Sequence, residues 1–245
     1  MNKDSNAYTF GFAIAMVVVV GSVLSIAAMS LKKPQQENQK QEKMKNILTT
    51  VGVMNESSDM KEAGGLFETH VKEQLVLDSK GNIKEGVVAF DVDVRKEYRE
   101  LKAKARDSAD VNYPIYRVEN EGNTYYVIPM VGTGLWGPIW GFVALKDDLN
   151  TVYGASFDHK TETPGLGAEI NQNSFEDQFK GDAIYDEAGA FVSIAVLKGA
   201  AGGSSDPHGV DGITGGTITS KGVDEMIRRT LSVYDPYFKT LKQAS

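Results

Sequence analysis

The chain has 245 residues, 41% of them apolar and 24% charged, which is enough for one sizeable domain plus an appendage. A net charge of −7 leaves no basic stripe to neutralise phosphates, so nucleic acid is excluded as a partner. The absence of cysteine excludes disulfides, thiolate metal sites and cysteine nucleophiles, and any redox chemistry has to come from a cofactor.

Ser5 to Leu31 carries no charge, and from Tyr8 onward it is dominated by Val, Ile, Ala, Met and Phe. At about 1.5 Å per residue this run spans the roughly 30 Å of a bilayer's hydrocarbon. It is too long for the apolar core of a cleaved signal, and Lys3, offset by Asp4, is the only cation ahead of it. The expectation is a retained, single-pass anchor over residues 1–33. Lys32, Lys33, Lys40, Lys43 and Lys45 follow it, which by the positive-inside rule puts that side in the cytoplasm. Residues 34–55 read as a juxtamembrane helix or linker. Its apolar positions Met44, Ile47, Leu48 and Val51 dock on a domain covering residues 56–245.

Within that domain, Met60 to Leu77 is predicted to be a helix broken at Gly64-Gly65 that runs into a strand, followed by a turn over Asp78 to Asn82. Val87 to Val94 alternates like a strand, and Arg95 to Arg106 reads as a charged helix. Pro114 to Val118 and Thr124 to Val131 form a hairpin across Glu119 to Asn123. Gly132 to Pro138 then bends the chain and presents Leu135 and Trp136, ahead of strands over Ile139 to Leu145 and Thr151 to His159. A loop tryptophan of this kind usually plugs a core.

In Thr161-Glu-Thr-Pro-Gly-Leu-Gly167, Pro164 fixes φ and Gly165 permits a reversal that thrusts Leu166 outward. A short helix over Ser174 to Lys180, a strand over Phe191 to Leu197 and a loop from Lys198 to His208 come next. The last stretch is Val210 to Ser220, with four hydroxyls, three glycines and a carboxylate. Gly212, Gly215 and Gly216 suit a turn whose amides form a concavity for an anion. Ser220 reads as the N-cap of a helix carrying Val223, Met226, Ile227 and Leu231, so a phosphate site at a helix start is expected. The fold class is α+β, an antiparallel sheet with flanking helices on one N-terminal transmembrane helix.

Asp211-Gly-Ile-Thr-Gly-Gly-Thr217 resembles the flavinylation motif Asp-x-x-Ser/Thr-Gly-Ala-Thr of the FMN-binding domain family, in which the last threonine carries FMN through a phosphodiester. Glu162-Thr-Pro-Gly-Leu-Gly167 and Leu135-Trp-Gly137 are similar to two further strings of that family, in the same order. The resemblance implies covalent FMN on Thr217, with Asp211, Gly212, Thr214, Gly215, Gly216 and Ser220 around its phosphate. It also implies that Leu135, Trp136, Glu162, Thr163, Gly165, Leu166 and Gly167 border the flavin, and Lys198 is the nearest upstream cation that could face the phosphate. Gly216 departs from the usual alanine, which adds backbone freedom and removes a methyl; slower modification without its loss is the expectation.

The same resemblance implies an electron-relaying component of a Na⁺-translocating NADH:quinone reductase in a bacterial inner membrane. Its partners would be the other subunits and a flavin transferase, and its soluble domain would be periplasmic, against the lysine distribution. The homologous flavin-bearing component of the related Rnf complex and a membrane-anchored structural or binding protein without flavin are the alternatives. The one Gly-x-Gly-x-x-Gly, Gly132 to Gly137, leads from one strand into another and opens no helix, so it is not a dinucleotide fingerprint and NADH is expected to be oxidised elsewhere. Ser204 or Ser205 with Asp206 and His208 are too close in sequence for a hydrolase triad, and His70, His159 and His208 lack zinc-ligand spacing.

Overall fold

The structure is a computed structural model that describes residues 6–55, 57–199 and 202–244. The chain divides into two compact units, Met1–Lys43 and Met44–Ser245. Helix α1 covers Asn6–Thr50, with Pro34 inside it. In the first unit its apolar side chains, among them Phe10, Val17, Leu24 and Met29, are exposed. The helix is long and apolar enough to cross a membrane. The expected anchor's first residues, Lys3 and Asp4 among them, lie outside the described residues.

In the second unit Ile47, Leu48 and Val51 are fully buried, as their spacing requires. They join Phe67 of α2 (Ala63–His70) against one face of an antiparallel sheet. The sheet runs β1 (Val71–Leu77), β2 (Tyr113–Asn120), β3 (Asn123–Thr133), β4 (Pro138–Lys146) and β5 (Val152–His159), in chain order. Side chains alternate between two cores: Tyr116, Val118, Val127, Phe142 and Ala144 face α1 and α2. Ile115, Ile128, Met130, Ile139 and Val143 face the C-terminal helix α5, described below. The β2–β3 hairpin closes through Glu121 and Gly122, both at positive φ, which is the turn whose twist matches paired strands.

Four local expectations are corrected. Gly64 and Gly65 do not break a helix but sit in the first turn of α2. Val87 to Val94 is not a strand: Val88 is exposed, a 3₁₀ turn covers Ala89–Asp91, and Asp93 caps α3 (Val94–Lys102) by accepting the Lys96 amide at 3.0 Å. That charged helix stops at Lys102, because Lys104 turns left-handed and Arg106 folds back onto Glu100 at 2.9 Å. The strand predicted over Phe191 to Leu197 shrinks to β6 (Ala195–Leu197), since Ser193 at φ 65 breaks it upstream. After the short helix α4 (Asn173–Glu176), β6 pairs in parallel with β7 (Gly209–Asp211), a pairing that local sequence did not indicate.

Candidate functional site

Helix α5, Thr217–Ala244, places the site. Val223, Met226, Ile227 and Leu231 bury its inner face in the core. Glycines bring its start against the end of β3: a Cβ at Gly222 would strike the Thr133 carbonyl, and one at Gly132 would lie 2.8 Å from Met226 Cβ. The helix therefore begins beside the β3–β4 turn.

Its start differs from expectation. Ser220 is not the cap but a residue of the first turn, and its amide makes the first helical bond, to Gly216 O at 2.9 Å. The amides of Thr217, Ile218 and Thr219 precede that bond and face outward along the helix dipole, a ready site for an anion. Ser220 Oγ instead accepts the Ile213 amide at 2.9 Å and closes the turn from within. Gly212 donates to Leu197 O at 2.8 Å and has no space for a side chain there, and Gly215 takes φ +79. At Gly216 a Cβ would lie 3.0 Å from Ile213 Cβ and 3.3 Å from the Gly167 amide, so glycine fits without demand on its neighbours.

Three threonines are separated by burial. Thr219 is 1% exposed and donates to Glu162 Oε2 at 2.6 Å. Thr214 is exposed on the turn, and Thr217 is half-buried at the first helical position.

The Thr163–Leu166 reversal packs onto this turn. Leu166 donates to Thr163 O at 3.1 Å, Gly165 sits at φ +74, and the Gly165 amide binds Glu169 Oε1 at 2.8 Å. Leu166 Cδ2 reaches 2.7 Å from where a Cβ at Gly215 would stand, while the leucine remains 42% exposed. Thr163 is exposed and Gly167 is wedged between Thr219 and Glu162. In the β3–β4 turn, Gly134 donates to Gly137 O at 2.8 Å, and Leu135 and Trp136 are 48% and 65% exposed. The expectation that a loop tryptophan is a core plug is overturned here.

Glu162, itself 5% exposed, joins all three segments. Its Oε1 accepts the Trp136 amide at 2.8 Å, and the amides of Leu135 and Gly137 also point to the carboxylate. Burial pushes its pKa up, but the Thr219 hydroxyl and these amides outweigh burial and hold it below the usual value. Sequence reasoning placed Glu162 in the set without its role; nothing local signals partners 26 and 57 residues away.

Asp211 is engaged by neighbouring segments: its Oδ1 accepts the Gly203 amide at 2.8 Å, and its own amide donates to Gln178 Oε1 at 2.9 Å. Lys198 is exposed just past β6. The candidate triad has other engagements, with His208 Nδ1 at 2.6 Å from Ala183 O and Asp206 Oδ1 accepting the His208 amide. The Ser204 side chain lies outside the described residues. Nearby, Asp182 is buried with no partner for Oδ2, and burial, then the Asp206 charge, push it up to about 7 against the opposing pull of His208. A raised carboxylate leaves full stability below its unfolded value and loses it as pH rises through about 7. Asp182→Asn is therefore expected to raise the melting temperature most at pH 8 and by less at pH 5, where the loss has only begun, measured by thermal melts at both.

The profile of the FMN-binding domain family matches residues 134–232, a range that spans all three segments. The NqrC component of the Na⁺-translocating NADH-quinone reductase of Haemophilus ducreyi is 33% identical over 98% of this chain and 96% of the relative. That of Pseudomonas aeruginosa is 31% identical over 99% and 98%. The crystal structure of NqrC from Parabacteroides distasonis superposes with a TM-score of 0.73 at 38% identity, covering 85% of this chain and 96% of that one. Shewanella oneidensis NqrC, at 24% identity and a TM-score of 0.66 over 82% and 99%, shares the fold. The chain belongs to the NqrC family, flavoprotein components of the Na⁺-translocating NADH-quinone reductase, an oxidoreductase.

Proposed function

We propose that Thr217 carries FMN through a phosphodiester and that the chain relays electrons between other subunits of a Na⁺-translocating NADH:quinone reductase. The observation that carries this reading is the half-buried Thr217 at the start of α5, directly after the Gly215–Gly216 turn, on which Leu166 packs at Gly215. The residues fit the group. Outward amides suit a phosphodiester's single charge, and three exposed apolar side chains, Leu135, Trp136 and Leu166, suit the edge or face of a flat ring. When bound, FMN supplies the redox chemistry that no side chain here can. The chain's own part is to tether, orient and exclude water. A flavin transferase is the maturation partner. Co-production with such a transferase and intact mass of the purified full chain test the reading; an unmodified mass contradicts it.

Residues 1–33 form the membrane anchor, 34–55 the juxtamembrane segment and 56–245 the flavin domain, held on the periplasmic side of a bacterial inner membrane. The lysines after the anchor oppose this orientation. Alkaline phosphatase fused after Ser245 is expected to be active; an inactive fusion with a working cytoplasmic reporter reverses the topology.

Leu166 and Trp136 tune the flavin. Because Trp136 is 65% exposed, Trp136→Ala is expected to change stability by no more than about 0.5 kcal/mol, where a core tryptophan costs about 3 to 5. Leu166→Ala admits water and raises the flavin potential while attachment survives. Redox titration beside thermal melting checks both; an unchanged potential with a large loss of stability removes the pair from the site.

A further inference from the structure

Exposed side chains cannot be positioned by packing, yet Leu135 and Trp136 stand at a defined place beside the start of α5. Their own turn contributes one internal bond, Gly134 N to Gly137 O, and Thr161 Oγ1 adds a donor to Trp136 O at 3.2 Å. What ties the turn to the helix is a carboxylate. Two glycines close on it: a Cβ at Gly134 would lie 2.6 Å from Glu162 Oε1, and one at Gly167 would lie 2.5 Å from Oε2. The carboxylate thus fills space that side chains would otherwise take, and each oxygen serves a different segment.

We infer that Glu162 is a positioning residue whose buried carboxylate sets where Leu135 and Trp136 stand relative to Thr217, by holding the amides of their turn on one side and Thr219 on the other. Thr219 lies two residues beyond Thr217 in the same helical turn, so movement at one end of this lock is transmitted to the other. Its purpose rests on the flavin reading above; the lock itself is a property of the chain without cofactor. Substitution by glutamine preserves it, because Oε1 still accepts the turn amides and Nε2 donates to Thr219 Oγ1. Substitution by alanine leaves those amides and the hydroxyl unpaired.

The chain's two tryptophans, Trp136 and Trp140, make the test direct. In full-length Trp140→Phe chain produced without transferase, the fluorescence anisotropy of Trp136 reports how firmly its turn is held. Glu162→Ala is expected to lower the anisotropy and to slow flavin transfer onto Thr217 about tenfold or more, as misplacement of a reacting group does. Glu162→Gln keeps both near wild type.

His159 on β5 accepts the Glu162 amide on Nδ1 at 3.2 Å, a backbone bond that every variant keeps. Where Glu162→Ala does not fold, Thr219→Val, which removes the helix end of the lock, decides: it is expected to lower the anisotropy. Wild-type anisotropy in whichever of the two variants folds overturns the lock. Lowered anisotropy with an unchanged transfer rate overturns its role at Thr217. No transfer onto the unsubstituted chain overturns the flavin reading and leaves the lock standing.

Discussion

Thr217→Ala is expected to yield a colourless chain with no flavin mass increment when produced with a flavin transferase. The loss should be complete because neither neighbouring threonine replaces it. Thr219 is buried and its hydroxyl is given to Glu162, so it has neither access nor a free proton. Thr214 is exposed but sits on the turn ahead of Gly215, away from the first amides of α5. Thr217→Ser keeps a hydroxyl at the same helical position and is expected to retain the increment. Intact mass and visible absorption check both variants; an increment persisting in Thr217→Ala would move the attachment site.

Gly222→Ala should produce the largest loss of stability among conservative changes near the site. In the interior of a helix, alanine normally stabilises by about 1 kcal/mol over glycine. Here the added methyl meets the Thr133 carbonyl, a backbone atom that has no other rotamer to adopt. Overpacking of this kind costs about 1 to 3 kcal/mol, so the sign reverses. At about 2 to 4 °C per kcal/mol for a domain of this size, a thermal melt resolves it. The helix start would shift away from the β3–β4 turn, so flavin transfer should slow as well. A melting temperature equal to or above the parent's would show that α5 and β3 have room to part.

The sheet was legible because its signals are local. Glu121-Gly122 sits between β-branched and aromatic runs, and alternation along β3 and β4 assigns side chains to two buried faces. Errors fell where a local preference met a long-range partner. Ser220 has the chemistry of an N-cap, and its oxygen does accept an amide, but from Ile213 across the turn; the helix starts at Thr217 through residues with weak helical preference because the close approach at Gly132 and Gly222 fixes it there. Val87 to Val94 has strand composition and no strand to pair with. The parallel β6–β7 pair spans the loop from Lys198 to His208, and such crossovers leave no periodic trace.

At the site, the glycine turn and the helix that follows it were readable from spacing, though not the helix's first residue, while threonine linkage and the flavin border came from resemblance. The exposure of Leu166 was legible in its Pro164-Gly165 reversal, but that of Leu135 and Trp136 was not, since a large apolar residue in a loop has the same local sequence whether it fills a core or faces solvent.

The most direct test of covalent flavin on Thr217 is the position of the modification in the wild-type chain. Lys198 and Lys221 bracket a tryptic peptide, residues 199–221, that contains Thr214, Thr217 and Thr219. After co-production with a flavin transferase, this peptide is predicted to carry the flavin increment, with fragment ions that place it on Thr217. An unmodified peptide, or fragments that place the increment on Thr214, would contradict that assignment.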